Sequence, residues 1–237
     1  MVNFKPVSAY LRVLCLFCII FLLSCSPEAG VKLDSAWKDE TVFSRVAVVP
    51  FQRIIPEDQS IKTVSCPISG KIFMTSRPSE DVEAEKAVER IFLREIKDRR
   101  RLIVIPAGRT GGVYKRISAD SFKVNQLGIL RKVGKELEAD GVIMGYVYRY
   151  GERKGYPYSV EKPASVAFGI YLIRVSDGAL VWKGIFDRTQ SSLLENILQI
   201  SSFFKQGGKW LTAEELSEVG VDKILETFPD LRKDKKN

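Results

Sequence analysis

The chain has 237 residues, 45% of them hydrophobic and 28% charged, with a net charge of +8. This balance is globular, and the length suffices to bury a sizeable core. Histidine is absent, which excludes Ser-His-Asp and Cys-His catalysis, histidine general bases and most zinc sites.

The first element is an apolar run, Val13 to Leu23, preceded by Lys5 and Arg12. A bilayer-spanning helix needs about 20 apolar residues, so the run is too short for an uncleaved anchor. A short apolar core behind a basic stretch reads as a secretory signal. It ends Leu22-Leu23-Ser24-Cys25, which resembles the lipobox of bacterial lipoproteins. That resemblance implies cleavage before Cys25 and acylation of it. Residues 1–24 are therefore expected to be a removed signal peptide, and 25–42 a lipidated tether. Each buried CH2 contributes about 0.8 kcal/mol, and stable anchoring takes more than one chain. Ser26 is not the aspartate that holds enteric lipoproteins at the inner membrane. The resemblance thus implies the outer membrane, periplasmic side.

Loss of Lys5 and Arg12 leaves +6 on the mature chain. In an envelope setting this points to anionic lipid head groups or an acidic protein, or simply to a solvated basic surface, rather than to nucleic acid. Cys15 and Cys18 match C-x-x-C but leave with the signal. Cys66 remains, with no intramolecular disulfide partner. It reads as a buried small hydrophobe, or else as a reactive or intermolecular thiol.

Further along, "RVAVVPF" (Arg45–Phe51) is a β-branched run fitting a buried strand. Residues 52–78 read as a long loop with a short strand at Lys71–Met74. Ala84, Ala87, Val88, Ile91, Phe92 and Ile96 recur at helical spacing, with Ser79 as N-cap, Glu80 and Asp81 in the first turn, and Arg99–Arg101 at the negative end. Leu102–Ile105 predicts a second buried strand. Residues 106–125 read as a loop. Its "AGRTGGVYKR" lacks both the P-loop ending and the G-x-G-x-x-G spacing that would make it a phosphate cradle. A second helix carries Leu130, Val133 and Leu137 on one face, with Gly141 as its stop. Val142–Tyr150 is a third strand, and "GERKGYPYSVEKP" an aromatic, basic loop. The clearest hairpin spans 164–187 and turns at Asp177-Gly178. Val166, Phe168, Ile170 and Leu172 share one face of it, as do Leu180, Trp182 and Phe186 on the return. A helix is predicted over 191–205. The last helix opens with a capping box, Thr212 to Glu215, stapled by Leu211 and Leu216, and stops at Pro229.

The order β-α-β-α-β, then a hairpin, predicts an α/β fold: a mixed sheet of about five strands with flanking helices and a helical C-terminus. The domain is read as 43–187, with a helical extension over 188–230 and a charged tail over 231–237. The lipobox, "VAVVPF", "LEADGVIMGYVYRY" and "VAFGIYLIRVSDGALVWKGIF" together resemble the curli-secretion (CsgG-like) lipoproteins, the lipoprotein activators of peptidoglycan synthases and the TolB amino-terminal domain. The order of elements over 44–187 carries the likeness, with the phrase Asp140-Gly141-Val142-Ile143-Met144-Gly145 before a strand. It implies a shared fold and an envelope location. Curli channels insert two spanning hairpins per subunit; here 151–163 is too short and too charged for a pair of strands of about 9–11 residues, and 188–210 has helical period.

The expected function is a non-enzymatic periplasmic scaffold or partner-binding factor anchored through Cys25, with no cofactor or metal. The alternative is a subunit of a CsgG-like oligomeric secretion or assembly complex. Partners are membrane lipid, through acylated Cys25, and an envelope protein or further copies of the chain. Tyrosine and arginine supply much of the binding energy at interfaces, so Tyr148, Arg149, Tyr150, Arg153, Lys154, Tyr156 and Tyr158 are the candidate contact residues. Glu136 with Glu138 does not make a catalytic pair, because i and i+2 diverge on a helix. Glu214 with Glu215 is explained by capping. Ser69 near Lys71 has no supporting motif.

Overall fold

The computed structural model describes residues 43–58, 60–75, 83–99, 103–105, 107–121, 124–190 and 209–229. The signal, Cys25, the tether, Ser79 with the acidic first turn, Arg100, Arg101, the 191–205 helix and the charged tail lie outside the described residues.

In chain order the strands are β1 (Arg45–Val48), β2 (Gln52–Arg53), β3 (Thr63–Ser65), β4 (Ile72–Met74), β5 (Ile103–Ile105), β6 (Gly141–Gly151), β7 (Lys154–Tyr156), β8 (Ser159–Lys162), β9 (Ser165–Arg174) and β10 (Leu180–Thr189). The helices are α1 (Ala84–Arg99), α2 (Ala107–Ala119), α3 (Gln126–Glu136) and α4 (Ala213–Leu225). The main sheet is mixed, in the order β5-β1-β6-β9-β10, with β2 added to β6. β1 runs parallel to both β5 and β6, whereas β6, β9 and β10 form an antiparallel meander. The expected α/β fold is the observed one.

Helices cover both faces, so β6 and β9 are buried on both sides and read as near-continuous apolar runs. One core gathers Val46, Val48, Ile143, Val147, Phe168, Ile170 and Leu172 against α1 and α4. The other gathers Ala47, Val142, Met144, Tyr146, Tyr148, Tyr171 and Ile173 against α2, α3 and the β3–β4 hairpin. The predicted apolar face of α1 packs into the first core, with Ala84, Val88, Ile91, Phe92 and Ile96 all buried.

Asp140 gives the phrase before β6 a physical role. Its Oδ2 accepts the backbone N–H of Ser44 at 2.8 Å and of Arg45 at 2.9 Å, pinning the entry of β1 to the entry of β6. At the next residue, a Cβ on Gly141 would stand 2.8 Å from the Phe43 ring and 3.0 Å from Leu172.

Five local expectations are corrected. Residues 107–119 are helical, not loop: three glycines weaken α2 by about 1 kcal/mol each relative to alanine, but tertiary contacts offset this. Thr110 Oγ1 donates to the Val48 carbonyl at 2.7 Å, and Tyr114 Oη accepts from Gln52 and Gln126 at 3.0 Å each. Gly141 does not end α3. The chain turns at Leu137 and Glu138, which takes a positive φ of 51°, and Gly141 begins β6. β5 is a sheet edge, with Ile103 57% exposed, rather than a buried strand. Within 52–78 the strand expected at Lys71–Met74 is present as β4, but β2 and β3 stand where plain loop was expected. The aromatic, basic loop forms the β7–β8 hairpin.

Candidate functional site

The candidate contact residues begin on the last turns of β6. Its register slips between Val147 and Arg149, where two residues oppose one on β9. Such a bulge reverses the alternation beyond it. Tyr148 therefore enters the second core and Tyr150 the first, both buried. Neither belongs to the surface where the sequence placed it. Arg149, between them, donates to Ser165 Oγ at 2.7 Å, to the Met74 carbonyl at 3.0 Å and to the Asp187 carboxylate. It ties β4, β9 and β10 together from a position only 12% exposed.

The remaining four lie on or beside β7–β8. Gly155 adopts φ 104°, and a Cβ there would come within 2.6 Å of the Ser159 carbonyl, so the hairpin closes only with glycine at this point. Pro157 and Tyr158 form the turn. Tyr156 is 78% and Tyr158 80% exposed, and Lys154 is also exposed. The hairpin is fastened at its turn and at its base. Trp210 N–H donates to the Pro157 carbonyl at 2.7 Å, Arg153 Nη1 donates to the Trp210 carbonyl, and Glu152 Oε2 accepts the Ala213 N–H at 3.1 Å.

That last bond places a carboxylate at the positive start of α4. The predicted capping box is present: Glu215 N–H donates to Thr212 Oγ1 at 3.1 Å, and Thr212 N–H to Glu215 Oε2 at 2.9 Å. Lys209 Nζ donates to Glu215 at 2.7 Å. The lysine and then the Thr212 N–H hold this carboxyl below its ordinary range. Leu211 and Leu216 are both buried, as a staple requires. The two tyrosines thus project from a braced base.

A second constellation was not legible in the sequence. Cys66 Sγ lies 3.2 Å from Tyr171 Oη and accepts the backbone N–H groups of Ile68 and Ser69 at 3.4 Å each. Tyr171 Oη also meets Ser69 Oγ at 3.3 Å and Tyr148 Oη at 3.2 Å. Phe73 stacks on Tyr148 with centroids 3.8 Å apart. Burial pushes the thiol up, but hydrogen bonds from Ser69, Tyr148 and Tyr171 outweigh it and leave it below its ordinary value. Burial drives the Tyr148 and Tyr171 phenols up, so both stay neutral. The thiol is buried, and the cluster latches β3–β4 onto the sheet.

The other weighed pairs separate. Glu136 bridges to Arg116, and Glu138 to Arg45 at 3.4 Å. Lys71 Nζ sits 5.1 Å from the Phe73 ring centroid, while Ser69 Oγ faces Tyr171. Among the described residues, no group of three or more Cys, Asp or Glu side chains is placed to hold a metal ion, and no helix is long and apolar enough to cross a membrane.

No family model and no curated protein matches the sequence. Among solved structures, the chain is similar to the PelC dodecamer subunit of Paraburkholderia phytofirmans, at 16% identity and TM-score 0.42, covering 81% of this chain and 89% of that one. It is similar to lipoprotein GNA1162 of Neisseria meningitidis, at 16% identity and TM-score 0.39, covering 70% and 98%. It is also similar to the LpoB C-terminal domain of Escherichia coli, at 12% identity and TM-score 0.37, covering 65% and 90%.

Proposed function

We propose that this chain is a non-enzymatic envelope lipoprotein, anchored through acylated Cys25 at the periplasmic side of the outer membrane. Its α/β domain, 43–187, holds an envelope protein through the β7–β8 hairpin, and 188–230 extends the domain. The observation that carries this reading is the pair of tyrosines 78% and 80% exposed on a hairpin braced by three hydrogen bonds. Exposed aromatics on a rigid base lose little freedom on binding and supply large contact area. Lys154, Glu161 and Lys162 are exposed on the same hairpin, and this mixed charge suits a polar rim on the partner. The absence of histidine supports a binding role over a catalytic one.

The test is affinity capture from membranes with the acylated chain, a Cys25→Ala chain and a Tyr156→Ala/Tyr158→Ala chain. One stoichiometric partner, lost with the tyrosine pair by at least about tenfold, is expected. Recovery of self-associated rings alone refutes the scaffold in favour of an oligomeric assembly subunit. A partner retained at full strength without the tyrosines removes the hairpin from the site.

A further inference from the structure

The two helix layers differ in charge. α2 carries three bases (Arg109, Lys115, Arg116) and no acid, and α3 three bases (Arg131, Lys132, Lys135) against Glu136, together an excess of five bases. Across the sheet, α1 has five bases against four acids and α4 one base against four acids, together an excess of two acids. Arg109, Lys115 and Lys135 are exposed and have no ion-pair partner among the described residues.

The β3–β4 hairpin belongs to the basic layer. Val64 and Phe73 point inward to the core that α2 and α3 cover. The outer face shows Ile72 at 67% and Met74 at 61% exposure, and Ile61, two residues before β3, is 48% exposed. Lys62 and Lys71 flank these side chains and are themselves exposed. Large apolar side chains gathered on one hairpin mark an interaction surface. Apolar groups beside spread, unpaired bases suit an interfacial lipid surface: the first enter the headgroup boundary, and the second meet anionic phosphates.

We propose that β3–β4 with α2 and α3 forms a lipid-docking face, which lays the domain against anionic glycerophospholipid with Ile72 and Met74 at the headgroup boundary. This rests on the reading of the chain as a membrane-tethered lipoprotein, and it adds an orientation. A lipid surface is favoured over an acidic protein because the bases are spread over two helices and a hairpin rather than gathered round a pocket.

Backbone hydrogen exchange of the full chain tests this, with vesicles of phosphatidylethanolamine and phosphatidylglycerol compared with vesicles of phosphatidylcholine alone. Exchange over residues 60–75 should slow on the anionic vesicles, and high salt or Lys132→Glu/Lys135→Glu should reverse most of it, on the order of tenfold. Equal exchange on both vesicles overturns the proposal, as does slowing confined to α4 and β7–β8. Slowing that needs an added acidic protein and no lipid overturns it in favour of that partner. Intact mass reports acylation of Cys25 separately; the exchange contrast decides the docking whichever mass is found.

Discussion

Successive residues of β6 feed two cores of different character. Val147 and Ile143 enter a core made mostly of aliphatic and phenyl groups, with Tyr150 and Trp182, closed by α1 and α4, while Tyr146 and Tyr148 enter one that also holds Tyr114, Tyr171 and Cys66. The first is specified by volume: Phe168 and Phe186 pack with centroids 5.5 Å apart, and Trp182 meets Phe228 edge-on at 4.7 Å. The second is specified by direction as well, since the Cys66 thiol and the Tyr148 hydroxyl both meet Tyr171 Oη. Its hydrogen bonds, with the Phe73–Tyr148 stack and the Arg149 bond to the Met74 carbonyl, select one seat for the short β3–β4 hairpin.

Removing volume should break the first core most. Phe168→Ala is expected to cost about 3–5 kcal/mol, read by urea unfolding. Removing direction should break the second. Tyr171→Phe strips the hydroxyl shared by Cys66, Ser69 and Tyr148 and should cost about 1–3 kcal/mol, with faster exchange in β3–β4. Tyr146→Phe sharpens the contrast. Its hydroxyl is buried with no hydrogen-bond partner among the described residues, so the change should stay within about 0.5 kcal/mol or stabilise. Between these two in size, Thr212→Ala opens the cap of α4, which closes the first core, and should cost about 1 kcal/mol by thermal unfolding.

A further small effect lies at the β9–β10 turn. Arg174 and then the Ala179 N–H hold the Asp177 carboxyl down at about 2, against an ordinary 3.8. A depressed carboxyl contributes stability that is full above its unfolded value and is lost as pH falls through its folded one. Asp177→Asn should therefore reduce the loss of stability between about pH 5 and pH 2. The side chain is about half exposed, so the contribution stays below about 1 kcal/mol.

What the sequence revealed depended on how local the determining interactions are. The β9–β10 hairpin and the capping box of α4 were legible because alternation, Asp177-Gly178 and Thr212-x-x-Glu215 act within a few residues. α2 was not, because its glycines oppose a helix and the compensating bond reaches from Thr110 to Val48. Tyr148 and Tyr150 read as surface because aromatics among bases resemble a contact loop. The bulge that sends them to opposite faces has no sequence signature of its own. The Cys66 latch joins residues 105 positions apart, beyond any motif. Tyr156 and Tyr158 are exposed as a contact loop requires, but their bracing by Trp210 and Glu152 was not foreseen.

The seat of β1 between β5 and β6 bears on how the domain assembles. β6, β9 and β10 are neighbours along the chain and can pair as a meander after short loop closures. β1 must be delivered to that meander from nearly a hundred positions upstream, at a higher entropic cost of closure. The topology implies a nucleus in the later half of the sheet, with high φ-values at Ile170 and Leu172 and low ones at Val46 and Val48. A polypeptide emerging from its amino end would then present β1 first and seat it only after the meander has formed, with β5 following because it joins the sheet through β1.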